Sequence, residues 1–202
     1  MKGLLLKDWK TLLKQTKVML TMMALFACVP STYMSAFALF YAAMMPITAL
    51  AYDERAKWDE LAAMMPYTAK AIVGSKYALG LTLVVPVLAL SVLFRLIVHS
   101  TPIVSEDTMS LLITACLSLI LMAIDLPFMF RFGVEKGRLI YILLSCVFVV
   151  AGVNYADKLT NTINGIGTAM VTTVPLLLLA AAVVALFISY LVAVRVYRAR
   201  RG

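Results

Sequence analysis

Two ionisable side chains interrupt long apolar runs, Arg95 and Asp125. A charge in hydrocarbon costs ~2.5–3.5 kcal/mol on insertion scales, so such residues mark pathways, relays or structural ion pairs. Their depths argue against pairing with each other. Arg95 lies a turn before His99, near the outer end of its run, and can snorkel outward or meet Glu106 or Asp107. Asp125 lies near the inner end of its run, within reach of Arg131 or another base. Structural and functional roles stay open for both, although a proton-coupled carrier places its charged groups nearer the midplane. Other chemistry is sparse. Gly74-Ser75-Lys76 lacks the upstream glycine of a P-loop, and a single histidine, His99, excludes H-E-x-x-H. Cys28, Cys116 and Cys146 sit in apolar runs without C-x-x-C spacing and read as packing residues. No catalytic, cofactor-binding or metal site is expected.

The residues that could do chemistry are therefore few, and the chain around them is hydrocarbon. Its 202 residues are 63% hydrophobic and 14% charged, against roughly 45–50% and 25% in soluble domains. Apolar runs of spanning length recur throughout, which leaves no separate soluble domain. The net charge of +8 sits between those runs, so it points to anionic membrane lipid rather than nucleic acid. No cleavable signal peptide is evident.

The longest polar interval runs from Tyr52 to Tyr77, YDERAKWDELAAMMPYTAKAIVGSKY. Trp58, Leu61 and Met65 recur at helical spacing, with Met64 beside them. Asp53 is placed to N-cap this helix, and Glu54 suits its positive end. Pro66 breaks the pattern, and Thr68 can cap a second helix from Ala69. The segment reads either as a solvated loop or as a docking element for a soluble partner.

Residues 1–17 read as an amphipathic interfacial helix. Lys7, Lys10, Lys14 and Lys17 form a stripe, and Leu5, Trp9, Leu12 and Leu13 form an apolar face. From Val18 to Tyr52 there is no charge. At ~52 Å as one helix the run is too long for one ~30 Å crossing. Its basic flanks require it to go out and back, with a turn at Pro30-Ser31 and two short spans near 18–32 and 34–52. Further spans are expected at 77–98, 108–130, 139–156 and 170–194. The loops 99–107 and 157–169 fall outside, and 131–138 and the arginine-rich end fall inside. All but two of the eighteen lysines and arginines then lie inside. The expected fold is all-α, with six transmembrane helices and both termini cytoplasmic, in one transmembrane domain over 1–202. Ala181, Ala185, Ser189 and Ala193, spaced by four, offer a small-residue ridge for helix packing.

Three stretches carry a resemblance: MKGLLLKDW, the Tyr52–Tyr77 segment, and RVYRARR near the end. Together, and across essentially the whole chain, they resemble the short ABC-2-type permeases of Gram-positive bacteria, such as the membrane subunits of phenol-soluble-modulin exporters. The motif residues are Asp53-Glu54, Lys57-Trp58-Asp59, Met65-Pro66, Thr68, Ile72-Val73 and Ser75-Lys76-Tyr77. Ala69-Lys70-Ala71 departs from the basic pair and acid often found there. The resemblance implies a permease subunit of an ATP-driven exporter in a bacterial cell membrane, not itself an enzyme. ATP and Mg would be bound by a partner ABC ATPase, and a second permease subunit, identical or homologous, would complete the unit. It also implies that 53–76 is the coupling segment, with Asp53, Glu54, Lys57, Trp58, Asp59, Glu60, Leu61, Met64, Met65 and Pro66 docking the ATPase. Residues 1–17 would be the interfacial elbow. The cargo would be hydrophobic or amphipathic, with a peptide among the candidates. A different class, an immunity or sensor subunit that docks a cytoplasmic partner through the same loop, is the alternative.

Overall fold

In the computed structural model, backbone is described for residues 2–29, 31–65, 67–99, 106–166 and 168–201; the side chains of 2, 15, 59, 63, 99, 106, 107, 151–174, 200 and 201 lie outside the description. All secondary structure among the described residues is helical: α1 (Lys2–Gln15), α2 (Lys17–Cys28), α3 (Thr32–Arg55), α4 (Trp58–Met64), α5 (Ala69–His99), α6 (Glu106–Phe132), α7 (Val134–Ile166) and α8 (Thr168–Arg201). Among the described residues, four stretches are long and apolar enough to cross a membrane: Thr32–Arg55, Ala69–Val98, Thr108–Phe132 and Pro175–Ala199.

The helix ends differ from the expected boundaries for a common reason. Polarity marks where a helix leaves hydrocarbon, but only a backbone break ends its hydrogen bonding. Thus α3 runs on through Asp53 to Arg55, and Asp53 does not N-cap α4. Likewise α7 and α8 carry helical backbone through most of 157–169, expected as a loop. At the other connections, breaks are local. Lys57 adopts φ 49°, and its N–H bonds the Glu54 carbonyl at 3.1 Å, closing α3 with a left-handed residue. Gly133 does the same for α6, with φ 88° and its N–H on the Met129 carbonyl at 2.9 Å. Thr68 caps α5 as expected, its Oγ1 accepting from Ala71 N–H at 3.3 Å.

α2 has 12 residues, about 18 Å of helix, which is short of a ~30 Å hydrocarbon core. The expected pair of spans before Tyr52 is therefore one short helix packed on one full-length helix. α3 is the central element: 56% of its apolar window is buried, against 22% for α8. Ser35, Ala38, Leu39, Ala42 and Ala43 on one stretch, then Met45 to Ala49, are all buried. α3 and α5 run antiparallel with polar contacts at both ends. At one end Lys76 meets Asp53 at 2.6 Å; at the other Arg95 Nη2 donates to Thr32 Oγ1 at 3.1 Å. Lys76 and Arg95 are about 28 Å apart along α5 at 1.5 Å per residue, close to the thickness of a hydrocarbon core. Gly80 lies between them, where a Cβ would overlap the Met122 thioether of α6 and press on Pro46 of α3.

The most extensive helix contact joins α6 to α8. Pro127 has no N–H for the Ala123 carbonyl one turn back. Ser189 Oγ of α8 donates to that carbonyl in a short hydrogen bond. With its proton so used, Ser189 accepts from Tyr77 Oη of α5 at 2.5 Å. Three helices are joined at the carbonyl the proline frees. The small-residue ridge on α8 is thus an internal packing surface, but only in part the one expected. Ala193 and Ser189 are buried and Ala185 is half-buried, whereas Ala181 is exposed and Ala182 is buried instead. A four-residue step overshoots a 3.6-residue turn by about 40°, so three steps rotate Ala181 off the contact. Ala193→Leu is expected to cost about 1–3 kcal/mol by overpacking, and Ala181→Leu close to nothing. Thermal unfolding of the two purified variants checks the difference.

Candidate functional site: a buried charge cluster where three helices meet

α1 presents Leu4, Asp8 and Leu12 to the bundle at successive helical turns, all buried. An acid in the middle of an apolar stripe needs a partner. It finds Lys76, which is 2% exposed: Nζ lies 2.8 Å from Asp8 Oδ1 and 2.6 Å from Asp53 Oδ2. Lys7 completes the cluster, 2.7 Å from Asp53 Oδ1 and 3.3 Å from Asp8 Oδ1. Two lysines and two aspartates make a neutral set in which each cation touches both anions. The carboxylates come from α1 and from the last turn of α3, the lysines from α1 and α5. Buried charges arranged in this way are strongly interdependent, because deleting one strands the others in low dielectric.

Lys7 also lies over the Trp58 ring, 3.8 Å from its centroid. Trp58 is half-buried, packed on the main core, and lines a cavity of about 40 Å³ with Asp53, Glu54, Lys76 and Tyr197. That volume admits a water between the polar groups. Glu54 takes a different partner: its Oε2 accepts from Val134 N–H at 3.1 Å, capping the first turn of α7. The adjacent acids Asp53 and Glu54 therefore tie the end of α3 to two different partners.

The residues expected to dock a partner separate into two sets. Asp53, Glu54 and Trp58 make internal contacts. Trp58 is half-buried, packed on the core with Lys7 over its ring, so it does not join Leu61 and Met65 on the open surface. Leu61, Met64 and Met65 are exposed, Met64 at 85%, while Ala62 between them is buried. Lys57 and Glu60 are exposed, 3.9 Å apart. The side chain of Asp59 and all of Pro66 lie outside the described residues.

The N-terminal stripe separates in the same way. Lys10, Lys14 and Lys17 face out, but Lys7 turns into the cluster. Trp9 does not share the buried face of Leu12; it is exposed with Leu6 and Leu13 in a second, outward apolar ridge. Arg95 and Asp125 do not pair with each other. Arg95 reaches Thr32. Asp125 is fully buried and is not bonded to Arg131, which lies exposed over the Phe132 ring. Sequence reasoning missed Asp8 and Lys76 as site residues. Their signal was available: one acid in register with Leu4 and Leu12, and a lysine continuing the apolar positions Ile72 and Val73 into the span.

Four membrane-length apolar helices among the described residues, with a charge cluster at one end of the bundle, define the class: an all-helical membrane protein. A family model described as ABC-2 family transporter protein matches residues 3–198, and the chain belongs to that family. Such permeases are the membrane components of ABC transporters, whose ATPase activity resides in a separate subunit. No curated protein and no solved structure matches the chain.

Lys76→Met is expected to destabilise the protein by about 3–5 kcal/mol by leaving two carboxylates with one lysine. Combining it with Asp8→Asn leaves the neutral Lys7–Asp53 pair and is expected to restore much of that loss. A double-mutant cycle read by thermal unfolding measures the coupling; additive effects would show that the two residues act independently.

Proposed function

We propose that the chain is the permease subunit of an ATP-driven exporter, moving a hydrophobic or amphipathic cargo, with a peptide as one candidate. The reading rests on family membership across residues 3–198, and a single structural observation directs its mechanism. The short helix α4 exposes Leu61 and Met64, with Met65 exposed just past its end, and it is held to α1 by the Lys7–Trp58 contact. A partner ATPase seated on the exposed side would push α4 against a neutral ion cluster that grips α1, α3 and α5 together. The push would then reach the spans as a rigid-body displacement. Pro66 follows α4, so the lever stays separate from α5.

The working unit is two permease subunits, identical or homologous, with two ATPases that bind ATP and Mg. On this reading the chain lies in a bacterial cell membrane with the cluster end on the cytoplasmic side, both termini inside and α1 in the membrane interface; the positive residues at that end support the orientation. α2 and α3 then form the first out-and-back pair of a six-span path, α2 entering only part of the hydrocarbon.

Two experiments test this reading. Met64→Asp is expected to weaken co-purification of the ATPase by about 2 kcal/mol, a hot-spot-sized loss, without changing thermal stability. Wild-type capture would remove α4 as the docking element. For orientation, cysteines at Ser105 and Thr160 in a background lacking Cys28, Cys116 and Cys146 are expected to react with an impermeant reagent in intact cells. A cysteine at Lys136 is expected to stay unlabelled, and its labelling would reverse the assigned topology.

A further inference from the structure

The last residue of α3, the last of α6 and the first turn of α7 surround a cavity of about 450 Å³, large enough for a small ligand. Three cations line it: Arg55 from α3, and Lys136 and Arg138 from α7. None of the three forms an ion pair among the described residues. Two acids, Glu54 and Glu135, share the lining, but both serve the start of α7. Glu54 Oε2 accepts from Val134 N–H, and Glu135 stands in the first turn, where the helix dipole favours an acid. Arg138 is half-buried, and its Nε is closed to solvent with no acceptor among the described residues. A desolvated carboxyl or lysine can neutralise itself by moving a proton, whereas a guanidinium keeps its charge. The uncompensated charge at this cavity is therefore positive.

We propose that this cavity binds the phosphate of an anionic phospholipid. Arginine pairs with phosphate oxygens through parallel N–H donors, and Lys136 adds a point charge. Two further observations favour a lipid over a dissolved anion. Two membrane-length stretches, Thr32–Arg55 and Thr108–Phe132, finish at the cavity, so a bilayer around them has its surface at this level. From there Leu139 and Leu143 continue the α7 stripe that Lys136 begins, at helical spacing, and both are exposed. A phosphate among the cations thus leaves the acyl chains along an apolar helix face. Ala51 and Phe132 give the cavity an apolar side for the glycerol backbone. The inference goes beyond the permease reading: binding requires neither the ATPase nor transport, so either can fail alone.

The purified chain in detergent is titrated with phosphatidylglycerol or phosphatidylcholine of identical acyl chains, and native mass spectrometry counts the bound lipid. The first phosphatidylglycerol is expected to bind roughly tenfold tighter than the first phosphatidylcholine. Arg55→Gln combined with Lys136→Gln changes two exposed side chains and is expected to cut that preference below about threefold. Arg138→Gln is expected to do the same; if it does not fold, the exposed pair decides. Arg195→Gln combined with Arg198→Gln removes equal charge from α8, at exposed positions that do not line the cavity, and is expected to keep the preference. Equal binding of the two lipids by the wild-type chain overturns the proposal. So does an equal loss in the α8 variant, the result for diffuse surface charge. Undiminished preference in the Arg55 and Lys136 double variant places the site elsewhere and also overturns it. Equilibrium dialysis of radiolabelled inorganic phosphate against the same protein is expected to show no saturable binding. Saturable binding that the double variant loses marks a site for a soluble anion and overturns the lipid assignment.

Discussion

The structure depends first on how four charges, Asp8 and Lys76 buried and Lys7 and Asp53 partly so, are kept neutral. Asp53 engages a different lysine with each carboxylate oxygen, and Lys76 reaches two acids from two helices. Buried ion pairs often add little net stability, because desolvation offsets their attraction. What they do enforce is relative position: α1, α3 and α5 cannot slide by a residue without separating charges in low dielectric. The remaining elements are placed from there. α1 lies along the bundle because Leu4 and Leu12 flank Asp8 on its inward stripe. α7 starts where Glu54, adjacent to Asp53, accepts its first free N–H. α4 is positioned because Lys7 serves both the cluster and the Trp58 ring.

Inside the apolar part of the bundle, backbone carbonyls set the arrangement. Proline in a helix removes a donor, and in hydrocarbon no water replaces it. α6 meets that constraint by sharing: the carbonyl that Pro127 frees receives Ser189, and Ser189 then accepts from Tyr77. A packing surface built around such a contact needs small residues beside it so the helices can approach, and Ala182 and Ala193 provide them. The proline, the serine and the alanines are thus parts of one solution to one unsatisfied carbonyl.

The parts legible in the sequence were those governed by transfer from water. The helical class, the major apolar helices, the break between α4 and α5 and the Thr68 cap follow from hydropathy and local backbone chemistry. The short α2 did not, because a charge-free run shows how much chain avoids water but not where its helices end. The site was half legible for a related reason. A charged residue in a polar segment looks the same in sequence whether it faces solvent or a buried partner. Asp53 and Trp58 stood out within the Tyr52–Tyr77 segment, yet their partners Lys7, Asp8 and Lys76 lie on α1 and α5, far away in the chain. Lys7 belonged to an apparent stripe of surface lysines, and only the packing of α1 shows that it leaves that stripe. Asp125 was legible as an anomaly, but that it has no hydrogen-bond partner among the described residues, with Arg131 lying exposed over the Phe132 ring, is a property of the packing alone.

The division of α4 into two faces follows from these contacts. A seven-residue helix is too short to be stable alone, so its orientation is set by what it touches. Ala62 and Trp58 are drawn in by burial and by Lys7, and the helical repeat then leaves Leu61 and Met64 outward. Apolar residues held outward at this density gain nothing in water, and methionine adapts its shape to a partner surface. On the proposed reading, the same lysine that neutralises Asp53 also determines which face of α4 is free for an ATPase. The docking surface and the ion cluster are then mechanically continuous. On that reading, a force on Met64 would reach the carboxylate at the end of α3 through the Trp58 ring and the Lys7 ammonium group.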